Sequence, residues 1–196
     1  MTRFEALADK ARGCRFCAHD LPLGPRPVFQ VSPMARLLVA SQAPGTKVHA
    51  SGVPFSDLSG DRLREWMGLS PGLFYEHRLV AILPMGFCYP GRRKGGDAPP
   101  RRECADLWRR KLLEGMTEIR LTLLVGSYAQ ADILGQGRMF ERVRAFREYL
   151  PDYFPLPHPS WRSHLWAQRN PWFEDEVLPA LKQEVRRAIG GWADGN

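Results

Sequence analysis

The stretch RLLVASQAPG, Arg36 to Gly45, decides the fold. Its first six residues are an apolar run without polar alternation, as in a strand buried on both faces, and a Pro-Gly turn stops it at once. Three more runs repeat the pattern: Arg78–Leu83 (RLVAIL), Arg120–Gly126 (RLTLLVG) and, more weakly, Tyr153–Leu156 (YFPL) just before a proline. Helical patterns lie between and after them, at Asp61–Met67, Arg102–Glu114, Tyr128–Leu134 and Phe173–Ile189. The last sets Val177, Leu178, Leu181, Val185 and Ile189 on one face. Strands alternating with helices predict an α/β chain, a three-layer α/β/α sandwich around a short, about four-stranded, mostly parallel sheet. In such a sheet ligands sit beyond the C-terminal ends of the strands. The loops starting at Ser41, Pro84, Gly126 and Pro157 are therefore expected to share one site. No repeat, low-complexity tract or interdomain linker interrupts residues 1–196, so one domain is expected. Gly91–Pro100 reads as a Gly/Pro/Arg-rich loop.

Composition narrows the partner. A chain of 196 residues with 44% hydrophobic and 25% charged positions is neither a disordered tail, a coiled coil nor a mini-protein. Its longest apolar stretches, such as Leu37–Ala40, fall far short of the roughly 20 residues that cross a bilayer, and Met1–Lys10 has no apolar signal core. No membrane association and a cytoplasmic location are expected. The 28 basic residues outnumber 21 acidic ones, for a net charge of +7, and 23 of the 28 are Arg, the planar binder of phosphate. The excess concentrates in Gly86–Arg110, with seven basic and three acidic residues, and in Arg138–Asn170, with six and three. A polyanionic partner is expected.

Four cysteines suggest ligands. Cys14 and Cys17 form a C-x2-C pair, while Cys88 and Cys104 bracket the basic loop. Four thiolates can hold a tetrahedral Zn or a cubane iron–sulfur cluster, and four unrelated free thiols are the plain alternative. Past the first strand, Gln42-Ala43-Pro44-Gly45 leads through His49 to Gly52-Val53-Pro54-Phe55-Ser56-Asp57. The turn aims backbone amides and one aromatic ring into the crevice, without the G-x4-G-K-S/T of a phosphate-binding P-loop. Near the end stands Pro157-His158-Pro159-Ser160-Trp161-Arg162, where two prolines fix the backbone around an imidazole. His49, His77 and His164 read as surface residues. Asp57 and Asp61 are both placed to cap the helix carrying Leu63, with Asp61 directly before Arg62-Leu63.

In this order and spacing, the motifs resemble those of the uracil-DNA glycosylase superfamily, and most closely its iron–sulfur branch, often called family 4. That branch has an N-terminal C-x2-C, a G-E-A-P-G motif, a G-x-P-F loop, two cysteines around a proline- and arginine-containing loop, and a late H-P-S/A. Cys14/Cys17, Gln42–Gly45, Gly52–Phe55, Cys88/Cys104 and His158–Ser160 match them. The resemblance implies a monofunctional DNA glycosylase that flips a deaminated base, uracil first, out of DNA and hydrolyses its N-glycosidic bond. It implies a 4Fe-4S cluster on Cys14, Cys17, Cys88 and Cys104, with Zn as the alternative. His158 is similar in position to the histidine that donates to O2 of the leaving base. Phe55 looks like the stacking ring, and Gln42, with Ala43, Pro44 and Gly45, like contacts to the base or the attacking water. Gly86 is expected at the base edge; Ser160, Trp161 and Arg162 at the gap left by the flipped nucleotide; Arg92 and Arg93 on phosphates. One crevice on one strand of DNA needs one copy, so a monomer is expected.

Two departures stand out. The chain has Ser41-Gln42 where the branch has Gly-Glu, which leaves Asp57, and behind it His49, to orient water. It has Leu83-Pro84-Met85-Gly86-Phe87 where the branch places a base-reading asparagine. Another deaminated base such as hypoxanthine, or DNA binding without cleavage, is the alternative.

Overall fold

A computed structural model describes residues 1–94 and 96–190, apart from the side chain of His164. The four apolar runs form one sheet: β1 (Leu37–Ala40), β2 (Val80–Ile82), β5 (Leu121–Val125) and β6 (Tyr153–Leu156), in the order β2-β1-β5-β6. All three pairings are parallel, with Leu37 opposite both Val80 and Leu121, and Thr122 opposite Tyr153. Side chains alternate across the pleat. Leu37, Val39, Val80, Ile82, Leu123 and Phe154 face a core shared with α3 (Leu58–Met67) and α9 (Leu178–Ile189). Leu38, Ala81 and Leu83 face the other way, toward α1 (Arg3–Arg12) and α5 (Arg110–Glu114). Ala40 and Leu124 continue that second layer against Ala129 of α6 (Ser127–Leu134). Both faces are covered, which is why the strands read as unbroken apolar runs. The expected three-layer α/β arrangement is what the chain forms.

Several boundaries differ from the sequence expectation. The helix expected at Asp61 begins at Leu58, because Asp57 is its cap: the Asp57 carboxylate accepts from the Gly60 amide at 3.0 Å. Asp61 instead pairs with Arg64 one turn on. The helix expected from Arg102 opens as a wide π turn at Ala105–Arg109 before α5, and a second π turn at Phe173–Val177 precedes α9. The sequence expectation does not include α1, α2 (Thr46–Ser51), α4 (Pro71–Phe74), α7 (Met139–Arg144) or α8 (Trp161–Gln168). Inside Gly91–Pro100 a two-residue hairpin forms, β3 (Arg92–Arg93) against β4 (Gly96–Asp97). No helix among the described residues is long and apolar enough to cross a membrane.

Candidate active site

The loops that follow the four strands meet over the C-terminal edge of the sheet, around a cleft of about 550 Å³. Backbone hydrogen bonds lace the first two together: Met85 donates to Ser41 at 2.7 Å and Gly86 to the Gln42 carbonyl at 3.0 Å. Ser41, Gln42, Ala43, Pro44 and Gly45 line the cleft, and so does Pro84. Gly86, expected at the base edge, is not among the lining residues. A Cβ there would lie 3.0 Å from Pro100 Cβ and the Arg101 nitrogen, so this glycine serves a close chain crossing. Met85 turns away into the core beside Ala40 and Leu124. The Gln42 amide donates to the Ala98 carbonyl at 3.4 Å, tying the first loop to the base of the hairpin.

Phe55 sits in the cleft wall with φ of 54°, the left-handed conformation, which no other non-glycine residue adopts among those described. For an aromatic residue this is strained, and its surroundings must hold it. Its carbonyl accepts from Arg64 Nη1 at 3.1 Å and from the Tyr75 hydroxyl at 3.2 Å. Gly60 makes room: a Cβ there would fall 1.7 Å from the Phe55 oxygen. The ring meets Phe74 edge to face at 6.2 Å, so core packing fixes it from behind. Two residues on, Asp57 lines the cleft while it caps α3.

His158 lines the cleft from the loop after β6. Its backbone packs against Gly126, where a Cβ would lie 3.4 Å from that of His158, and φ of 87° suits glycine. The Ser160 amide donates to the His158 carbonyl at 2.7 Å, and Arg62 of α3 donates to the Pro159 carbonyl at 3.0 Å. Burial pushes the imidazole below its ordinary pKa, against the pull of Asp57 and Asp97 toward the charged form. Burial therefore favours the neutral ring, which can donate one hydrogen bond without carrying charge.

The cleft gathers Gln42, Ala43, Pro44, Gly45, Phe55, Asp57, His158, Ser160, Trp161 and Arg162 of the expected set. Ser160 is also the N-cap of α8, so Trp161 and Arg162 begin a helix at the rim, with Trp161 65% exposed. Arg92 and Arg93 stand apart on the exposed hairpin, whose other strand brings Gly96 and Asp97 to the cleft. Asp97 was not anticipated; its carboxylate comes within 3.8 Å of where a Gly45 Cβ would stand. Ser59 and Tyr128 also line the site, Tyr128 near the start of the helix after β5. His49 is outside the lining; it lies near Tyr89, with its Nδ1 buried and unpartnered. His77 is exposed, and the side chain of His164 lies outside the described residues.

The four cysteines, all free, line one small separate cavity with Leu21, Pro25, Pro27, Phe87, Arg101 and Trp108. Burial pushes the Cys88 thiol up to about 12 and Cys104 up to about 11, the opposite of a reactive thiolate. Two buried donors, Arg101 Nε and Trp108 Nε1, have no partner there, and the Phe87 amide donates to Cys104 Sγ at 3.5 Å. As the side chains stand, no three His, Cys, Asp or Glu among the described residues are arranged to hold a metal ion.

A cleft at the C-terminal edge of a four-stranded parallel sheet, an aromatic wall on the first loop and a neutral histidine on the last thus share one chain order. The family model described as the uracil DNA glycosylase superfamily matches residues 28–182. That span runs from the segment beside β2 into α9 and takes in every strand and each loop of the cleft, so the chain belongs to the uracil DNA glycosylase superfamily.

Proposed function

We propose that this protein is a monofunctional glycosylase that removes uracil from DNA and leaves an abasic site, acting as a monomer. The observation that carries this reading is the placement of the strained Phe55 ring, Asp57 and the neutral His158 around one cleft. A base extruded from the stack lies against Phe55, held by Gln42 and the Ala43–Gly45 backbone. As the N-glycosidic bond breaks, electrons move onto the base, and His158 donates to the oxygen that receives them. Asp57 is placed to orient the water that captures the sugar. No lysine lines the cleft among the described residues, which supports hydrolysis over a Schiff-base route. Trp161 and Arg162 at the rim fill the gap in the helix, and Arg92 and Arg93 hold phosphates.

The superfamily's iron–sulfur branch also raises the question of a cluster. Four thiols around one cavity, two orphaned N–H donors and an apolar lining fit such a group. We assign Cys14, Cys17, Cys88 and Cys104 as ligands of a 4Fe-4S cluster, with Zn as the alternative for the same donor set. When bound, the group supplies four metal–thiolate bonds and no chemistry at the base. An absorbance band at about 400 nm distinguishes the cluster from Zn.

The deciding experiment is an abasic-site assay on oligonucleotides carrying one uracil, single-stranded and in U·G and U·A duplexes, with a hypoxanthine duplex alongside. Uracil release is expected, and His158→Ala slows the single-turnover rate by about 100-fold or more while leaving DNA affinity unchanged. A second reading, preference for another deaminated base, is favoured by the end of β2. There Pro84 lines the cleft and Met85 is buried, so that strand end offers no side-chain amide to the base edge. Release from the hypoxanthine duplex alone establishes that reading, and binding without release makes the protein a DNA-binding module.

A further inference from the structure

We propose that α3 is a brace that sets the distance between the stacking ring and the histidine, with Arg62 and Arg64 as positioning residues. The proposal rests on the roles given above to Phe55 and His158. Residues two apart on a helix leave it on nearly opposite sides, so one rigid element can hold two separate loops. Arg62 Nη1 donates to the Pro159 carbonyl at 3.0 Å, next to His158, and Arg64 Nη1 to the Phe55 carbonyl at 3.1 Å. Both contacts end on backbone, so neither arginine needs to touch DNA in order to act.

The Arg64 end is the more heavily built. Arg64 is 9% exposed, pairs with Asp61, and lies over the Phe74 and Tyr75 rings at 5.3 and 5.6 Å. The Tyr75 hydroxyl takes a hydrogen bond from Arg64 at 3.1 Å and lies 3.1 Å from the Pro54 carbonyl. A charged donor on a carbonyl is a strong hydrogen bond, and here it falls on Phe55, whose left-handed backbone would otherwise relax. Asp57 pins the N-terminus of the same helix, and Gly60 lets the Phe55 carbonyl lie against it. The cleft wall, the helix and the histidine loop therefore move as one unit. Reacting groups tolerate little displacement, so loosening either clamp falls on the chemical step.

The test compares wild type with Arg64→Met, Arg64→Lys, Arg62→Met, Arg62→Lys and Tyr75→Phe. Single-turnover uracil excision is read beside affinity for a uracil-free duplex and for a duplex carrying uncleavable 2′-fluorodeoxyuridine. The Met variants are expected to excise roughly tenfold to a hundredfold more slowly. They should lose the extra affinity for the fluorinated nucleotide and bind the uracil-free duplex as wild type does. The Lys variants, which keep a charged donor, recover part of the rate. Folded Met variants with wild-type rates overturn the proposal, and so does an equal loss of affinity for the uracil-free duplex, which would make these arginines phosphate contacts. Should a Met variant fail to fold, Tyr75→Phe decides, since it removes one hydroxyl from the same clamp. Inactive wild type defeats the excision reading alone. The brace is then judged by a crystal structure of Arg64→Met or, if that variant does not fold, of Tyr75→Phe: Phe55 leaving the left-handed conformation supports it, and an unmoved Phe55 overturns it.

Discussion

Asp57 carries two duties that substitution can separate. Its carboxylate caps α3 through the Gly60 amide and also faces the cleft. Asn caps a helix about as well as Asp, whereas Ala does not. Asp57→Asn is therefore expected to melt within a degree or so of wild type yet excise uracil at least tenfold more slowly. Asp57→Ala should lose the same rate and about 1 kcal/mol of stability besides, or roughly 2–4 °C at this chain length. Scanning calorimetry beside single-turnover kinetics checks both, and full activity in the Asn variant would reduce Asp57 to a cap. His158 is expected to set the pH dependence. Burial lowers its pKa, and with the neutral ring as the donor the rate should fall only on the acid side, with a midpoint below the ordinary histidine value. Asp57 and Asp97 favour the imidazolium, so Asp97→Asn is expected to move that midpoint lower still. The same depression makes the unfolded chain the better proton acceptor. Its contribution to stability is present above the unfolded pKa and is lost as pH falls below it.

At the level of elements, the sheet was legible because burial on both faces leaves a plain signature. RLLVAS contains β1, and RLVAIL and RLTLLVG contain β2 and β5. Asp57 is legible as a cap of α3, but the helix starts three residues ahead of the expected Asp61 because Leu58-Ser59-Gly60-Asp61 reads as a turn, and the helical Gly60 leaves room for the Phe55 carbonyl. For α1 the signal existed in the capping box of Thr2 and Glu5. For α8 only the Ser160 cap marks a start, since Trp161–Gln168 lacks a clean apolar stripe. Asp97, Arg62 and Arg64 were illegible because charged residues in a loop or on a helix look solvated until tertiary contacts place them. The hairpin poses the sharpest question. It lies between Cys88 and Cys104, reaches the cleft through Asp97 and is tied to Gln42 through Ala98. Cys88→Ser is expected to lose the band at about 400 nm, bind uracil duplexes several-fold more weakly and expose Arg92–Lys94 to faster tryptic cleavage. An unchanged affinity and digestion pattern would show that the hairpin stands without the cysteines.

Across the whole molecule, charge and cleft act together. The net charge of +7 is expected to draw the chain to DNA, with the exposed Arg92 and Arg93 at phosphates outside the pocket. The logarithm of the binding constant should fall linearly with the logarithm of salt concentration. Replacing Arg92 and Arg93 together with Ala should lower that slope by about 1–2 without changing the excision rate at saturating enzyme. Equilibrium titration from low to moderate salt reads the slope, and an unaltered one would remove both residues from the DNA contact. Gly60 has a consequence of another kind. Because its α-carbon touches the carbonyl of the cleft-wall phenylalanine, positions 55 and 60 are epistatic: no side chain can be tried at 60 until the loop at 55 has given up its conformation, and with it the wall of the cleft. A substitution at 60 is therefore expected to be tolerated only in a background whose wall at 55 has already been remodelled.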